Sequence, residues 1–315
     1  MRIAILGATS QIAKDLIKCF LEKNDHDLTL FARRPDAVEH WLSSVDHSNR
    51  PVISNFDHFS TEKTFDAIIN FVGAGNPATA LAMGRKIFET TRQFDQIALD
   101  YLASHTDCRY IFLSSGATYG SSFLVPPNMH THATVEINQP QPADWYGISK
   151  LCTELNHRSL DHLGIVDVRI FSYFSRSQDL GAQFFISEIL RAIHNRSTLE
   201  VSSDHIVRDY LHPVDFHQLI EKVLASPFEN RVLDCYSRAP VSKKALLQFM
   251  SENFGLVYKE AKKNGLPKIN TKVNYYPTGK QASSIGYAPL YSSLEGIEIE
   301  ARAILDSLPK QHFLE

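Results

Sequence analysis

Residues 3–13 read IAILGATSQIA and give the main indication of the fold class. A short apolar run followed by apolar residues at helical spacing predicts a buried strand, a tight turn and a helix. Small residues stand at the first, fourth and seventh positions of the turn: Gly7, Ser10 and Ala13. In a dinucleotide fingerprint they allow the turn, the approach of a pyrophosphate to the helix N-terminus, and close helix–strand packing. Only one of the three is glycine, so an ordinary structural turn stays open as an alternative.

The alternation of strand and helix continues along the chain. Further strands are predicted at 28–31, 67–72, 110–113 and 166–171, and helices at 185–193, 243–253 and 294–308. This order predicts a Rossmann-like, doubly wound α/β fold with a parallel sheet. We expect a dinucleotide-binding domain over 1–171 and a smaller, interleaved substrate-binding lobe over 172–315, of which 206–235 returns to the first domain.

Composition and charge limit the function classes. The 315 residues are 43% hydrophobic and 21% charged, and the net charge of -3 comes without long runs of one sign. We therefore expect a globular protein that binds neither nucleic acid nor membrane. No apolar run of about 18 residues and no signal-peptide core occur, which favours a cytoplasmic location. The four cysteines lack metal-ligand spacing, so we expect buried, reduced thiols and no metal.

The second predicted strand ends in FARRP, residues 31–35. An NAD site would carry Asp or Glu here to bind the ribose hydroxyls. Arg33 and Arg34 can instead clamp the 2'-phosphate of NADP, since guanidinium groups bind phosphate bidentately. The sequence therefore favours NADP, and the alternative is a solvated basic turn.

Residues 146–150 read YGISK and place Tyr146 and Lys150 on one face of a helix. A lysine ammonium beside a phenol lowers the pKa of the phenol, so that it can exchange a proton with a carbonyl or hydroxyl. The pair alone is a weak signal. It gains weight because Ser114 and Ser115 end the preceding strand and bring a hydroxyl to the same edge of the sheet.

Three more motifs complete a resemblance: NFVGA at 70–74, SSGATYG at 114–120 and VRDYLHPVD at 207–215. With them the chain resembles an extended short-chain dehydrogenase/reductase of the NAD-dependent epimerase/dehydratase family, whose members mostly modify sugars carried on nucleotide diphosphates. The resemblance runs from the N-terminus to about residue 215 and continues more weakly to the end.

The resemblance implies a role for each matched residue. Ser115, with Ser114 as the fallback, holds the reacting oxygen, Tyr146 exchanges its proton, and Lys150 tunes Tyr146 and binds the nicotinamide ribose. The implied cofactor-binding residues are Gly7, Thr9, Ser10, Gln11, Ile12, Arg33, Arg34, Val72, Gly73, Tyr146 and Lys150. The implied substrate-binding residues are Ser115, Thr118, Tyr146, Ser172 and Arg208. Arg208 matches an arginine that contacts the substrate diphosphate, and the alternative is a salt bridge with Asp209 or Asp215.

Departures from the family pattern narrow the reaction. Gly116 and Ala117 stand where 4,6-dehydratases carry an acid–base pair, which argues against dehydration. The missing acidic residue after the second strand favours a reductase that uses NADPH on the keto group of a nucleotide deoxysugar. An epimerase with a transient keto intermediate and a non-catalytic NADP-binding regulator are the alternatives. Ser172 is shorter than the usual asparagine, which keeps a non-nucleotide carbonyl substrate open.

Two histidines, two aromatic pairs and two helices remain to be interpreted. His130 and His132 lie in a proline-flanked loop and have no third ligand for a metal, so substrate contact or solvent exposure are the interpretations. For the aromatic pairs 184–185 and 275–276, core packing is favoured over a base-stacking pocket. By analogy with the superfamily, helices near 96–102 and 154–163 form a homodimer interface.

Overall fold

The structure of the protein is a computed structural model that describes residues 1–45, 50–75, 77–120, 123–261 and 272–309. The helices are α1 (Gln11–Lys23), α2 (Pro35–Leu42), α3 (Pro77–Met83), α4 (Lys86–Leu102), α5 (Trp145–Ser159), α6 (Phe185–His194), α7 (Pro213–Ala225), α8 (Lys243–Phe254) and α9 (Ser293–Ser307). The strands are β1 (Arg2–Leu6), β2 (Asp27–Phe31), β3 (Val52–Ser54), β4 (Ala67–Asn70), β5 (Arg109–Ser115), β6 (Ile165–Ile170), β7 (Ser172–Tyr173), β8 (Leu199–Val201), β9 (Val207–Arg208), β10 (Tyr210–Leu211), β11 (Arg231–Asp234), β12 (Val241–Ser242), β13 (Tyr258–Glu260) and β14 (Asn274–Tyr275).

The main sheet has seven strands in the order β3-β2-β1-β4-β5-β6-β11, and all neighbouring pairs are parallel. Strand β1 lies between β2 and β4, so the strand order reverses at this point. In open α/β sheets a ligand binds outside the carboxyl ends of the strands at such a reversal. A ligand site is therefore expected near the residues that follow β1, β2, β4 and β5.

The two faces of the sheet bury separate hydrophobic clusters because successive strand residues point to opposite sides. Ile3 and Ile5 of β1 pack in a cluster with residues of α1 and α7. Ala4 and Leu6 pack in another cluster, which includes α4 residues such as Tyr101. Helices on both faces of a parallel sheet confirm the predicted Rossmann-like fold.

A further hydrophobic cluster joins α6, α8 and α9 with short strands of the C-terminal part of the chain. Strand β11, in contrast, belongs to the main sheet, and residues of α7 pack in the same cluster as those of α1. This arrangement is compatible with an interleaved second lobe, whose boundaries stay a prediction.

The strands and helices predicted from apolar patterns are all present, with ends that differ by at most a few residues. The expectation for the cysteines is wrong in part, since Cys152 is exposed and Cys19 is only half-buried, although all four are free thiols. Cys152 is exposed because it lies on the side of the amphipathic helix α5 opposite to its buried residues, which are Ser149, Lys150, Thr153, Glu154 and His157. Among the described residues, no helix is both long and apolar enough to cross a membrane.

Candidate functional site

The turn after β1 has the backbone geometry that a phosphate-binding turn needs. Gly7 has φ +84°, and a Cβ atom there would lie 3.0 Å from the Val72 nitrogen. Any side chain would thus be both strained and crowded. The Ser10 side chain caps α1 by accepting a hydrogen bond from the Ala13 N–H at 3.2 Å. Thr9, Ser10, Gln11 and Ile12 lead into the first turn of α1, at the sheet edge where the strand order reverses.

A second turn, residues 71–75, follows β4 beside the first. Asn70 shapes it: its side-chain oxygen accepts from the Val72 N–H at 2.9 Å, and its amide donates to the Tyr110 hydroxyl at 2.9 Å. A Cβ atom at Gly73 would lie 3.6 Å from the Lys150 ammonium. The backbone of Val72 and Gly73 therefore runs between the turn at Gly7 and the Lys150 side chain.

The turn after β2 carries two arginines whose charges are not compensated. Arg33 and Arg34 are exposed, and neither guanidinium makes an ion pair or a hydrogen bond with another described residue. No acidic residue ends β2, and the next one, Asp36, already belongs to the first turn of α2. Both guanidinium groups are available to an anionic ligand at this edge.

Three hydroxyl groups meet at the end of β5. Ser115 is buried, and its oxygen accepts from the Ala117 N–H at 3.2 Å and lies 3.1 Å from the Tyr275 hydroxyl oxygen. Tyr146, in the first turn of α5, is half-buried. Burial raises the pKa of Tyr146, and the nearby Ser115 hydroxyl opposes that rise. The structure thus brings Ser115 and Tyr146 together, as the family resemblance implies.

Lys150 lies one helical turn beyond Tyr146 and is fully buried. Its ammonium donates to the Leu113 carbonyl at 2.8 Å and sits 4.1 Å from the centre of the Phe112 ring. Burial lowers the pKa of Lys150 to about 8, although the carboxylates of Asp95, Glu154 and Asp167 act against this. Lys150 is therefore held by strand β5 and is charged below about pH 8.

Ser114, the neighbouring serine, has a different set of partners. Its hydroxyl donates to Glu154, which accepts from the Arg169 Nε at 3.0 Å and pairs with the Arg169 guanidinium. Arg169 also lies over the ring of Tyr119, whose hydroxyl donates to Asp234 at 2.8 Å. The Ser114 hydroxyl is thus engaged with Glu154, and Ser115 is the serine that lies beside Tyr146.

Arg208 lies on β9, opposite Tyr275 of β14. Its guanidinium donates to the backbone carbonyls of Lys272 at 2.6 Å and Val207 at 2.9 Å. The alternative salt bridge is not formed: Asp209 accepts from the Ser237 N–H at 3.0 Å, and Asp215 accepts from the Leu290 N–H at 2.7 Å. Burial lowers the pKa of Arg208.

Lys272 places a second cation beside Arg208. Its ammonium lies 4.4 Å from the centre of the Tyr275 ring and 5.3 Å from that of Phe123. Burial and the charge of Arg208 lower the pKa of Lys272 to about 8. Two cations so close to each other favour an anionic ligand.

Thr118 and Ser172, which were also expected to contact the substrate, lie in surroundings unlike those of Arg208. The Thr118 hydroxyl is buried and donates to the Ser115 carbonyl at 3.0 Å, so it supports the turn after β5. Ser172 is half-buried in β7, which pairs with β10. His130 and His132 are exposed, and within the described ranges no group of three or more His, Cys, Asp or Glu residues could hold a metal.

The packing around residues 116 and 117 leaves no room for the acid–base pair that is missing after Ser115. A Cβ atom at Gly116 would lie 2.5 Å from the Phe171 ring, and Ala117 is buried. An acidic side chain at position 116 therefore does not fit this packing.

A nucleotide-binding Rossmann fold with a serine, a tyrosine and a lysine at one sheet edge defines an enzyme of the nicotinamide-dependent short-chain type. The family model of the NAD dependent epimerase/dehydratase family matches residues 3–236, and the chain belongs to this family. No curated protein sequence matches the chain significantly.

Solved structures agree on the fold over the full length. The UDP-glucose-4-epimerase from Stenotrophomonas maltophila with bound NAD and formylated UDP-arabinopyranose has a TM-score of 0.80 at 14% identity, covering 98% of both chains. The dTDP-glucose 4,6-dehydratase from Bacillus anthracis str. Ames in complex with NAD has a TM-score of 0.78 at 15% identity, covering 98% of this chain and 97% of that one. The UDP-glucose 4-epimerase with UDP-glucose from Thermotoga maritima has a TM-score of 0.75 at 17% identity, covering 98% and 100%.

Sequence reasoning missed two residues of the cluster, Tyr275 and Lys272. Tyr275 was expected to pack in a core, and it does pack against Phe123 and Phe171, but its hydroxyl also reaches Ser115. The residues lie 160 positions apart in the chain. No local spacing or motif could have indicated this contact.

Proposed function

We propose that the protein is a cytoplasmic reductase that uses NADPH to reduce a keto group on a nucleotide-activated deoxysugar. The observation that carries the proposal is the pair of uncompensated arginines, Arg33 and Arg34, at the end of β2, where no carboxylate would repel a 2'-phosphate. The similar structures were solved with NAD, so NADP would be a property of this chain's own turn.

The residues present fit a dinucleotide. Gly7 leaves room that a Cβ atom would fill, and Ser10 caps α1 with its side chain while the first turn keeps backbone N–H groups for phosphates. Gly73 and Lys150 would lie along the nicotinamide ribose. When bound, NADPH supplies the hydride that the carbonyl carbon accepts.

The proton would come from Tyr146. Because burial raises its pKa, the phenol is protonated at neutral pH and can donate to the carbonyl oxygen as that oxygen gains negative charge. Ser115 would hold the same oxygen by a hydrogen bond. Ketone, NADPH and one proton give alcohol and NADP⁺, and Tyr146 would regain its proton from solvent.

The substrate class follows from charge. Arg208 and Lys272 lie close together without a carboxylate bonded to either among the described residues, and a diphosphate would compensate both. Similar structures contain UDP sugars, which is the same chemistry. We also propose a homodimer through α4 and α5, on which Leu155 is an exposed apolar residue.

Epimerisation is the second candidate, and the observation that favours it is the likeness to structures named as 4-epimerases. An epimerase would return its hydride to the same sugar, so it would show no net change in nicotinamide absorbance. A reductase consumes NADPH with its substrate.

The experiment that separates these functions is a paired titration and turnover assay. NADPH and NADH are titrated separately, and absorbance is then followed with nucleotide 4-keto-6-deoxysugars and with the corresponding alcohols. Oxidation of NADPH by a keto sugar supports the reductase. An isomerised sugar without net absorbance change supports the epimerase, and tight NADPH binding without any turnover supports a regulator.

A further inference from the structure

Tyr275 brings a third hydroxyl group to the reacting-oxygen site. It comes from β14, far along the chain from β5, and its hydroxyl oxygen lies 3.1 Å from that of Ser115. The side chain is 8% exposed. A buried phenol that bonds the serine of the site has a more specific place than a residue that only fills space.

The backbone around Tyr275 is fixed on both sides. Strand β14 pairs with β9, with Tyr275 opposite Arg208. Asn274 ties the strand to the loop after β5: its N–H donates to the Phe123 carbonyl at 2.9 Å, and its side chain donates to the Leu124 carbonyl at 2.8 Å. The ring packs against Phe123 and Phe171, with centroids 4.9 and 5.1 Å away.

The hydrogen-bonding capacity of Ser115 gives this contact a consequence. A serine hydroxyl has one proton to donate and two lone pairs to accept. The Ala117 N–H occupies one lone pair. If the Tyr275 O–H occupies the other, the Ser115 proton is left for a group on the Tyr146 side, which is where a reacting carbonyl oxygen would lie.

Burial keeps Tyr275 a donor, although a nearby cation, Arg208, favours its ionised form. The Arg208 guanidinium carbon lies 5.7 Å from the centre of its ring, and the Lys272 ammonium lies 4.4 Å from it. Burial raises the pKa of Tyr275 far above neutral, and the hydrogen bond with Ser115 only partly opposes this. The phenol therefore keeps its proton throughout the neutral range.

We propose that Tyr275 is a positioning residue, whose hydroxyl donates to Ser115 and thereby directs the Ser115 proton at the reacting oxygen. The inference rests on the proposed function for its kinetic consequence, but the Tyr275–Ser115 bond itself does not depend on turnover. Because Tyr275 acts through Ser115, its contribution disappears when Ser115 is absent.

The kinetic test is a double-mutant cycle with Tyr275→Phe and Ser115→Ala. Tyr275→Phe keeps the ring and should lower kcat about tenfold, with KM for the keto sugar unchanged within about twofold. In the Ser115→Ala background the same change should have no further effect. Tyr276→Phe, on the neighbouring half-buried tyrosine, is the matched control and should leave kcat unchanged. Additive losses of the two single variants would overturn the inference.

A second measurement does not need substrate. In protein labelled with ¹³C at tyrosine Cζ, the Tyr275 signal is assigned by its loss in Tyr275→Phe. Ser115→Ala should shift that signal, and Ser114→Ala should leave it in place. An unmoved signal in Ser115→Ala overturns the inference even if the wild-type enzyme reduces its substrate. A shifted signal in a protein without NADPH-dependent turnover supports the bond and contradicts the proposed function instead.

Discussion

Ser114 and Ser115 are neighbours on β5, yet they face two different kinds of polar environment. Ser114 points into an ionic network in which Glu154, Arg169, Asp234 and the Tyr119 hydroxyl bond one another. Ser115 points into a group of neutral hydroxyls, bordered by Arg208 and Lys272, which have no bonded carboxylate among the described residues.

The polar groups around Ser114 are bonded to one another and stabilise the fold. Those around Ser115 are only partly bonded and are available for ligands. Buried charges that serve the fold are paired, since an unpaired one costs several kcal/mol. Cations without a counter-charge near a sheet edge attract anions, which is why we propose that a ligand supplies the counter-charge here.

Breaking the network on the Ser114 side should have the largest effect on stability. Glu154→Ala leaves the Arg169 guanidinium buried without its main partner, and we expect a loss of about 3–5 kcal/mol in the free energy of unfolding. Urea denaturation measures it. Glu298→Ala, which removes an exposed pair with Arg302 on α9, is the control and should cost less than about 1 kcal/mol. Equal, small losses in both variants would mean that Glu154 does not stabilise the fold.

On the same side of the sheet, His157 should make the free energy of unfolding depend on pH. Burial alone would lower the pKa of His157, but bonds to Asp167 at 2.7 Å and Asp95 at 2.9 Å outweigh it and raise the pKa to about 9. A raised histidine pKa stabilises the fold below its unfolded value of about 6.5, and this contribution is lost as pH rises towards 9. Between pH 6.5 and 8 we expect a loss of about 2 kcal/mol in the free energy of unfolding.

Denaturation at several pH values checks this, with His157→Gln as the reference that lacks the titrating group. The upper limit of pH 8 keeps the measurement below the range in which Lys150 and Lys272 lose most of their charge. A wild-type slope equal to that of His157→Gln would contradict the raised pKa.

The smallest effect concerns the uncompensated arginines after β2. Replacing Arg33 and Arg34 with serine should weaken NADPH binding about tenfold, because charge-assisted bonds to the 2'-phosphate are lost. NADH binding and the free energy of unfolding should hardly change, since both side chains are exposed and unpaired within the described residues. Fluorescence titration measures both cofactors, with Arg92→Ser on the exposed face of α4 as the control. Equal losses for NADPH and NADH would remove the argument for NADP.

Much of the fold could be predicted from the sequence because its elements depend on local patterns. The run 3–6, the turn at Gly7 and the helix after it follow from apolar spacing and one glycine. Strand β3 and the two-residue strands of the C-terminal part were not predicted, since two or three residues are too few to show a period.

The residues of the candidate site also fall into two groups, those that local sequence patterns could predict and those that they could not. Tyr146 and Lys150 could be paired because they lie one helical turn apart, and Ser115 could be added because it ends a strand at the same edge. Tyr275 and Lys272 reach the site through the pairing of β14 with β9, a long-range contact without a local signal. The direction in which each of two adjacent serines points also depends on the register of the finished sheet.

The most direct test of the role of Ser115 compares Ser115→Ala with Ser114→Ala for both activity and stability. Ser115→Ala should lower kcat for NADPH-dependent reduction about a hundredfold and leave the free energy of unfolding nearly unchanged. Ser114→Ala should cost about 1–3 kcal/mol of that free energy, because a buried Glu154 oxygen loses its donor, and should keep kcat within a few fold. The opposite pattern, with activity lost at Ser114 and stability lost at Ser115, would contradict the assignment of the site to the Ser115 side of β5.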